Sequence, residues 1–223
     1  MTAPTPWILV LDTATSTIVV AAGTRDGQVL EAEAFEGRYR HSQELLPAVD
    51  RLLGRVGLRL RDLSAVIVGT GPGAFTGLRV GLATAKTLAH ELDVPVIGIA
   101  TSAALLEAVG GAGARLWLPS GPRERLLICA DEAPVRTHDG VASDEAPGDL
   151  AVDLAARASD AALERGRDAV ARLPASLLRL GLARLAAGES DDPERLVPAY
   201  AVQPRGAPAA DSEGGVAWSR DPR

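Results

Sequence analysis

The chain has 223 residues, 47% hydrophobic and 23% charged, which fits one large or two small globular domains and excludes a disordered chain. A net charge of −6 argues against a surface that grips nucleic-acid phosphates unaided, and a single cysteine, Cys129, excludes an internal disulfide and a cysteine-cluster zinc site. No apolar run reaches the roughly 20 residues of a membrane span and Met1 to Pro6 lacks the pattern of a secretory signal, so the reading is a cytoplasmic protein.

Trp7 to Leu11 is a continuous apolar run, the mark of a strand buried on both faces, and it ends at Asp12-Thr-Ala-Thr-Ser-Thr17. A β-branched run from Ile18 to Ala22, a turn at Gly23–Gly27 and a third strand over Gln28–Phe35 complete an antiparallel meander. From His41 the apolar positions Leu45, Leu46, Val49, Leu52, Leu53 and Val56 share one helical face, with Ser42 as cap and Glu44 in the first turn. Pro47 is expected to bend this helix or delay its start. Leu63–Val68 reads as a buried strand, Leu78–Leu92 as a helix, Pro95–Ile99 as another strand, and Thr101 or Ser102 caps a helix running to Val109. The order β-β-β-α-β-α-β-α is an α/β fold in which a meander joins two parallel crossover units.

The second half predicts short strands at Leu116–Leu118 and Leu126–Cys129, then an irregular surface stretch over Asp131–Asp149. A helix within Leu150–Arg172 is expected to break near Gly166, and a better one spans Pro174–Ala187, with proline at its start and Gly188 as its stop. From Gly206 onward, composition predicts a frayed tail. The division is therefore a first lobe over 1–109, a smaller one over 110–205 and a disordered tail over 206–223.

Gly69-Thr-Gly-Pro-Gly-Ala-Phe-Thr-Gly77 lies between a buried strand and a helix. It formally meets the G-x-G-x-x-A dinucleotide pattern, but Pro72 removes an amide and no acid closes the following strand. Leu78 stands where a Walker loop requires lysine. Structural turning and anion binding at a helix N-terminus both remain as readings. Asp12, Thr13 and Thr15 with Gly71 and Gly73 form a vestigial phosphate-binding set on the second reading, and ordinary turn chemistry on the first. Gly77, Gly81, Ala85 and Ala89, four apart and flanked by Leu78 and Leu82, form a stripe that admits close approach of another helix. Packing on the chain's own sheet gives the same periodicity. His41, His90 and His138 have no partner at helical metal-ligand spacing, and Cys129 sits in an apolar run as a small core residue.

Leu11-Asp-Thr-Ala-Thr15, His41-Ser-Gln-Glu-Leu-Leu-Pro47, Gly69 through Gly81 and Thr101-Ser-Ala-Ala-Leu105 together resemble the bacterial TsaB family, densely over about the first 108 residues. In the second half only Pro198-Ala-Tyr200 is similar to the family's ending. The resemblance implies an actin-like, sugar-kinase-like ATPase fold of two lobes. It also implies a noncatalytic relative of TsaD, the transferase that makes threonylcarbamoyladenosine at position 37 of tRNAs reading codons that begin with A. The missing H-x-x-x-H metal pair fits such a relative. By resemblance the partner is TsaD, met through the helices His41–Val56 and Leu78–Leu92, with Leu45, Leu46, Val49, Leu52, Leu53, Gly77, Leu78, Gly81, Leu82, Ala85 and Ala89 as interface residues. TsaE joins as the ATPase, ATP and a metal belong to the partner subunits, tRNA is met mainly through the partner, and homodimerisation is the alternative when TsaD is absent. Leu118-Pro-Ser-Gly-Pro-Arg-Glu-Arg-Leu126 departs from the family's usual Asp-Ala-Arg strand and puts a nucleotide-facing role of the second lobe in doubt. The rival expectation is an ATP-dependent phosphotransferase on the same fold, using Asp12 and the Gly71–Gly73 loop; a dinucleotide-binding module ranks below it.

Overall fold

A computed structural model describes residues 6–37, 41–110, 113–130, 132–138 and 145–201. Its first sheet has the order β3-β2-β1-β4-β5, built from β1 (Trp7–Asp12), β2 (Thr17–Gly23), β3 (Val29–Glu36), β4 (Leu63–Gly69) and β5 (Val96–Ile99). The first three strands pair antiparallel, while β1, β4 and β5 run parallel, so the meander and crossover units are arranged as expected. Every residue of β1 is buried because helices cover both faces of the sheet, which is why its sequence is apolar without alternation.

Two helices, α1 (His41–Val56) and α2 (Phe75–Leu92), lie on one face. Leu45, Val49, Leu52, Leu82 and Ala85 pack there on Trp7, Leu9, Leu11, Ile18 and Val20. α1 begins at His41 with Pro47 exposed inside it, so the proline does not delay the start. On the other face Ile8, Val10, Val19, Ala21 and Ile67 meet α3 (Thr101–Ala108) and α4 (Asp160–Ala186). A second sheet, ordered β8-β7-β6-β9, consists of β6 (Arg115–Pro119), β7 (Glu124–Cys129), β8 (Val135–His138) and β9 (Leu150–Ala151). Its Leu116, Leu118, Leu126 and Ile128 belong to the same core as Ile8 and Val10, so packing runs unbroken across the boundary placed at 109/110.

The second half differs from its sequence reading in two places. The stretch expected to be irregular carries β8 in its first half and leads into β9; β8 is largely exposed and β9 has two residues, so neither gives a readable hydrophobic pattern. α4 is one helix of 27 residues, unbroken at Gly166 and carrying Pro174 in its interior. An interior proline costs about 3 kcal/mol. Leu173, Leu177 and Leu178 are completely buried beside it, at roughly 1.5–3 kcal/mol each, which outweighs that cost. Gly166 belongs to the packing: a Cβ there would collide with the Ala151 carbonyl of β9, and one at Gly181 would collide with Ile67 of β4. Ser159 caps the start, its hydroxyl accepting from Ala162 N at 3.2 Å. Gly188 ends the helix as expected, at φ +75°, with Gly188 N donating to Leu185 O and Glu189 N to Arg184 O, both at 3.0 Å. The expected tail lies outside the described residues, and among those residues no helix is long and apolar enough to cross a membrane.

Two glycine substitutions should move stability in opposite directions. Gly166→Val forces the backbone of α4 away from β9 and should cost at least about 2 kcal/mol in urea unfolding. Gly54→Ala, on α1 with open space around its added methyl, should gain roughly 0.5–1 kcal/mol in the same measurement.

Candidate functional site

The carboxyl end of β1 brings together the residues expected to face a phosphate. Asp12 is fully buried. Thr101 Oγ1, at the start of α3, donates to its Oδ2 at 2.6 Å, and Ala14 N donates to its Oδ1 at 2.9 Å. Thr101 Oγ1 in turn accepts from Gly71 N at 3.1 Å. No cation lies among these partners, so burial dominates and pushes the carboxyl up to about 6, partly offset by the bonds from Thr101 and Ala14 and reinforced by the charge of Asp153.

The glycine loop is closed against this strand end from inside. Thr70 N donates to Ile99 O at 2.8 Å and Ala74 N to Ala14 O at 2.7 Å. A side chain on Gly69 would strike the Asp12 carboxylate, and one on Gly73 would strike the Ala14 carbonyl. Thr13 Oγ1 donates to Gly77 O at 2.7 Å, and Thr15 Oγ1 to Thr17 O at 3.1 Å. Asp12, Thr13, Thr15 and Gly71 are thus held by bonds among themselves and to adjoining backbone, while Gly73 lines a cavity of about 150 Å³ shared with Ala14, Phe75, Leu118 and Asp153. Of the two readings of the loop, this geometry fits structural turning.

The expected interface residues need a correction. Leu45, Val49, Leu52, Gly77, Leu78, Gly81, Leu82, Ala85 and Ala89 are buried within the chain's own core. The small-residue stripe of α2 faces the sheet, where a Cβ at Gly81 would fall on the hydroxyl of Thr13, just past the end of β1. A residue packed beneath its own helix is not available to a partner. Leu53 is half-buried, and Leu46, 55% exposed, is the one residue of the set that stands free. The outward lane of α1 contains Gln43, Leu46, Pro47 and Gly54; that of α2 contains Thr76, Ala83 and Thr87, with Val80 between them half-buried against the core. Both helices cover the same face of the sheet, so these lanes lie on one side of the molecule.

Among the described residues no group of histidine, cysteine and carboxylate side chains is placed to hold a metal. His90 and His138 are exposed; the side chain of His41 lies outside the described set. Cys129 is half-buried, and burial, with the charge of Glu132, raises its thiol above the ordinary range. Sequence reasoning missed two features. Asp153, in the left-handed region at φ 58°, accepts from Ser16 N at 2.7 Å and from the Ser16 hydroxyl. Asp149 accepts from Arg115 Nε at 2.9 Å and Trp117 Nε1 at 2.7 Å within the second sheet, next to the stretch that departs from the expected pattern. Neither has a local sequence signal, because each pair is more than thirty positions apart.

Residues 36–176 match the family described as TsaD, tRNA N6-adenosine threonylcarbamoyltransferase. The tRNA threonylcarbamoyladenosine biosynthesis protein TsaB of Escherichia coli is 40% identical over 94 residues, 42% of this chain and 40% of that protein. The protein of the same description from Bacillus subtilis is 36% identical over 94 residues, 42% of this chain and 41% of the relative. An uncharacterized protein of Mycobacterium tuberculosis is 39% identical over 105 residues, 47% of this chain and 48% of the relative. The chain thus spans less than half the length of these curated relatives. YeaZ from Pseudomonas aeruginosa shares the fold, with a TM-score of 0.65 at 23% identity over 87% of this chain and 99% of that one.

The buried carboxyl should give stability a pH dependence of defined sign. A folded-state pKa raised from 3.8 to about 6 means that the native state binds more protons than the unfolded state between those values, so stability falls as pH rises through that window. That difference corresponds to about 3 kcal/mol. Asp12→Asn lacks this titration. The unfolding free energy of the wild type relative to the variant, measured in urea, should therefore drop by about that amount from pH 4 to pH 7; a flat difference would contradict the burial.

Proposed function

The chain belongs to the family described as TsaD; from that premise, and from its likeness to TsaB proteins, we propose that it is a TsaB-type, noncatalytic docking subunit in tRNA threonylcarbamoyladenosine biosynthesis. Its partner on this reading is a TsaD-type transferase, with TsaE joining the assembly as the ATPase. The substrate tRNA is held mainly by the partner, in keeping with the net charge of −6 on this chain.

The observation that carries the reading is the state of the strand end. Where a phosphotransferase needs free amides and an acid open to its substrate, the amides of Thr70, Gly71 and Ala74 are already bonded and Asp12 is fully buried among its neighbours. Docking is the role left to the exposed lanes of α1 and α2. These lanes carry the apolar Leu46 and small residues that let a second pair of helices come close, and the buried leucines beneath them hold the lanes in register. Asp50 and Arg79 flank the lanes as exposed charges that fix orientation.

Calorimetric titration with a TsaD-type protein tests this. Leu46→Asp and Ala83→Arg, both on exposed positions, should each weaken binding at least about tenfold, with the fold intact by circular dichroism. Undiminished binding in both would remove the assignment of this face. Gly81→Arg reports on folding instead, because its side chain would drive into Thr13.

A further inference from the structure

Two glycines at the rim of the first sheet leave room for another part of the chain. A Cβ at Gly98 on β5 would lie 2.5 Å from Leu196 Cδ1, and one at Gly71 in the glycine loop would collide with the Ala199 carbonyl. The segment after α4 is thus fitted into spaces that any side chain would close. Its anchors run in order along the molecule. Asp191 N donates to Val96 O at 2.9 Å, and the Asp191 carboxylate accepts from Gly98 N at 2.7 Å. Arg184, near the end of α4, grips the same carboxylate with two bonds of 2.9 and 3.1 Å and reaches Gly98 O at 2.9 Å. Ala199 N then donates to Thr70 O at 2.8 Å, and Tyr200 pairs with Gly73. Finally Ala201, buried, accepts at its carbonyl from Ser120 Oγ at 3.1 Å and from Arg136 Nη2 at 3.0 Å, both beyond the first sheet.

We propose that residues 191–201 are an internal clamp that closes the edge of β5, fills the glycine loop and ties the first sheet to the second. An uncovered edge strand presents unpaired backbone groups; here Gly98 N is satisfied by Asp191 of this segment and Gly98 O by Arg184 of α4, the side chain that also holds the Asp191 carboxylate. The segment contains no regular strand or helix, and Asp192 to Arg195, Val197 and Ala199 are exposed. It is held by a few discrete anchors and not by a broad apolar face, which places it at the low end of local stability and makes it separable from the core. The clamp also reaches α2. Tyr200 packs on the ring of Phe75, the first residue of that helix, at 4.8 Å between centroids, and the Arg79 guanidinium lies 4.8 Å from the other participant of the stack, the Phe75 ring. Seating of the segment therefore orders the glycine loop and the first turn of α2 together. These contacts carry the inference by themselves, independently of the docking reading.

Hydrogen exchange by mass spectrometry on the full chain tests it, with Asp191→Asn to weaken the Arg184 grip and Gly98→Val to evict Leu196. In either variant, exchange should accelerate about tenfold or more at 196–201, in the loop over 70–75 and at the Ser120 end of β6, all together, while β1 and β4 stay protected. Acceleration confined to 191–201, or no acceleration, would overturn the clamp. If Gly98→Val fails to fold, Asp191→Asn decides the matter alone.

Discussion

A carboxyl group buried at the end of β1 without a neighbouring cation obliges its surroundings to supply hydrogen bonds in fixed directions. Three separate elements meet that demand: the turn through Ala14, the start of α3 through Thr101, and the glycine loop through Gly71, which bonds to the same threonine. β4 ends in Gly69 because any side chain there would occupy the carboxylate's position. From this junction the rest follows by contact. Thr13 fixes the first turn of α2 through Gly77, Gly81 lets that helix settle on the strand, and the settled helix presents its opposite face outward.

The first hundred residues were legible because their patterns are unambiguous. β1 and β4 are apolar without alternation and α1 keeps helical periodicity, so element order and pairing direction could both be read. The second half resisted for physical reasons. Pro174 normally starts a helix, and only the burial of Leu173, Leu177 and Leu178 on another element lets it sit inside one. β9 is too short to show a period, and β8 faces solvent. The candidate site was half legible. Asp12, its threonines and the glycines lie near one another, yet a sequence pattern does not tell whether donors point outward or at each other. Periodicity likewise cannot distinguish a helix face packed on its own sheet from one kept for a partner, and at Gly77, Gly81, Ala85 and Ala89 it is the former.

The glycine loop illustrates how one sequence pattern serves opposite ends. Small residues between a strand and a helix allow close approach of whatever lies opposite. Here that neighbour is the chain itself, through Ala14 and Ala199. A loop filled in this way contributes rigidity, and rigidity suits a subunit whose proposed task is to present two helices at a constant angle. The lanes of α1 and α2 inherit their alignment from the same junction that packs the loop, so the docking face proposed above and the filled loop rest on one packing arrangement.

If the strand end and glycine loop are a structural junction and not a nucleotide site, the isolated chain does not hold ATP. Calorimetric titration of the isolated full chain with ATP in the presence of magnesium tests it most directly. No saturable binding is expected. Saturable binding that is lost in Asp12→Ala would contradict it and restore the phosphotransferase reading.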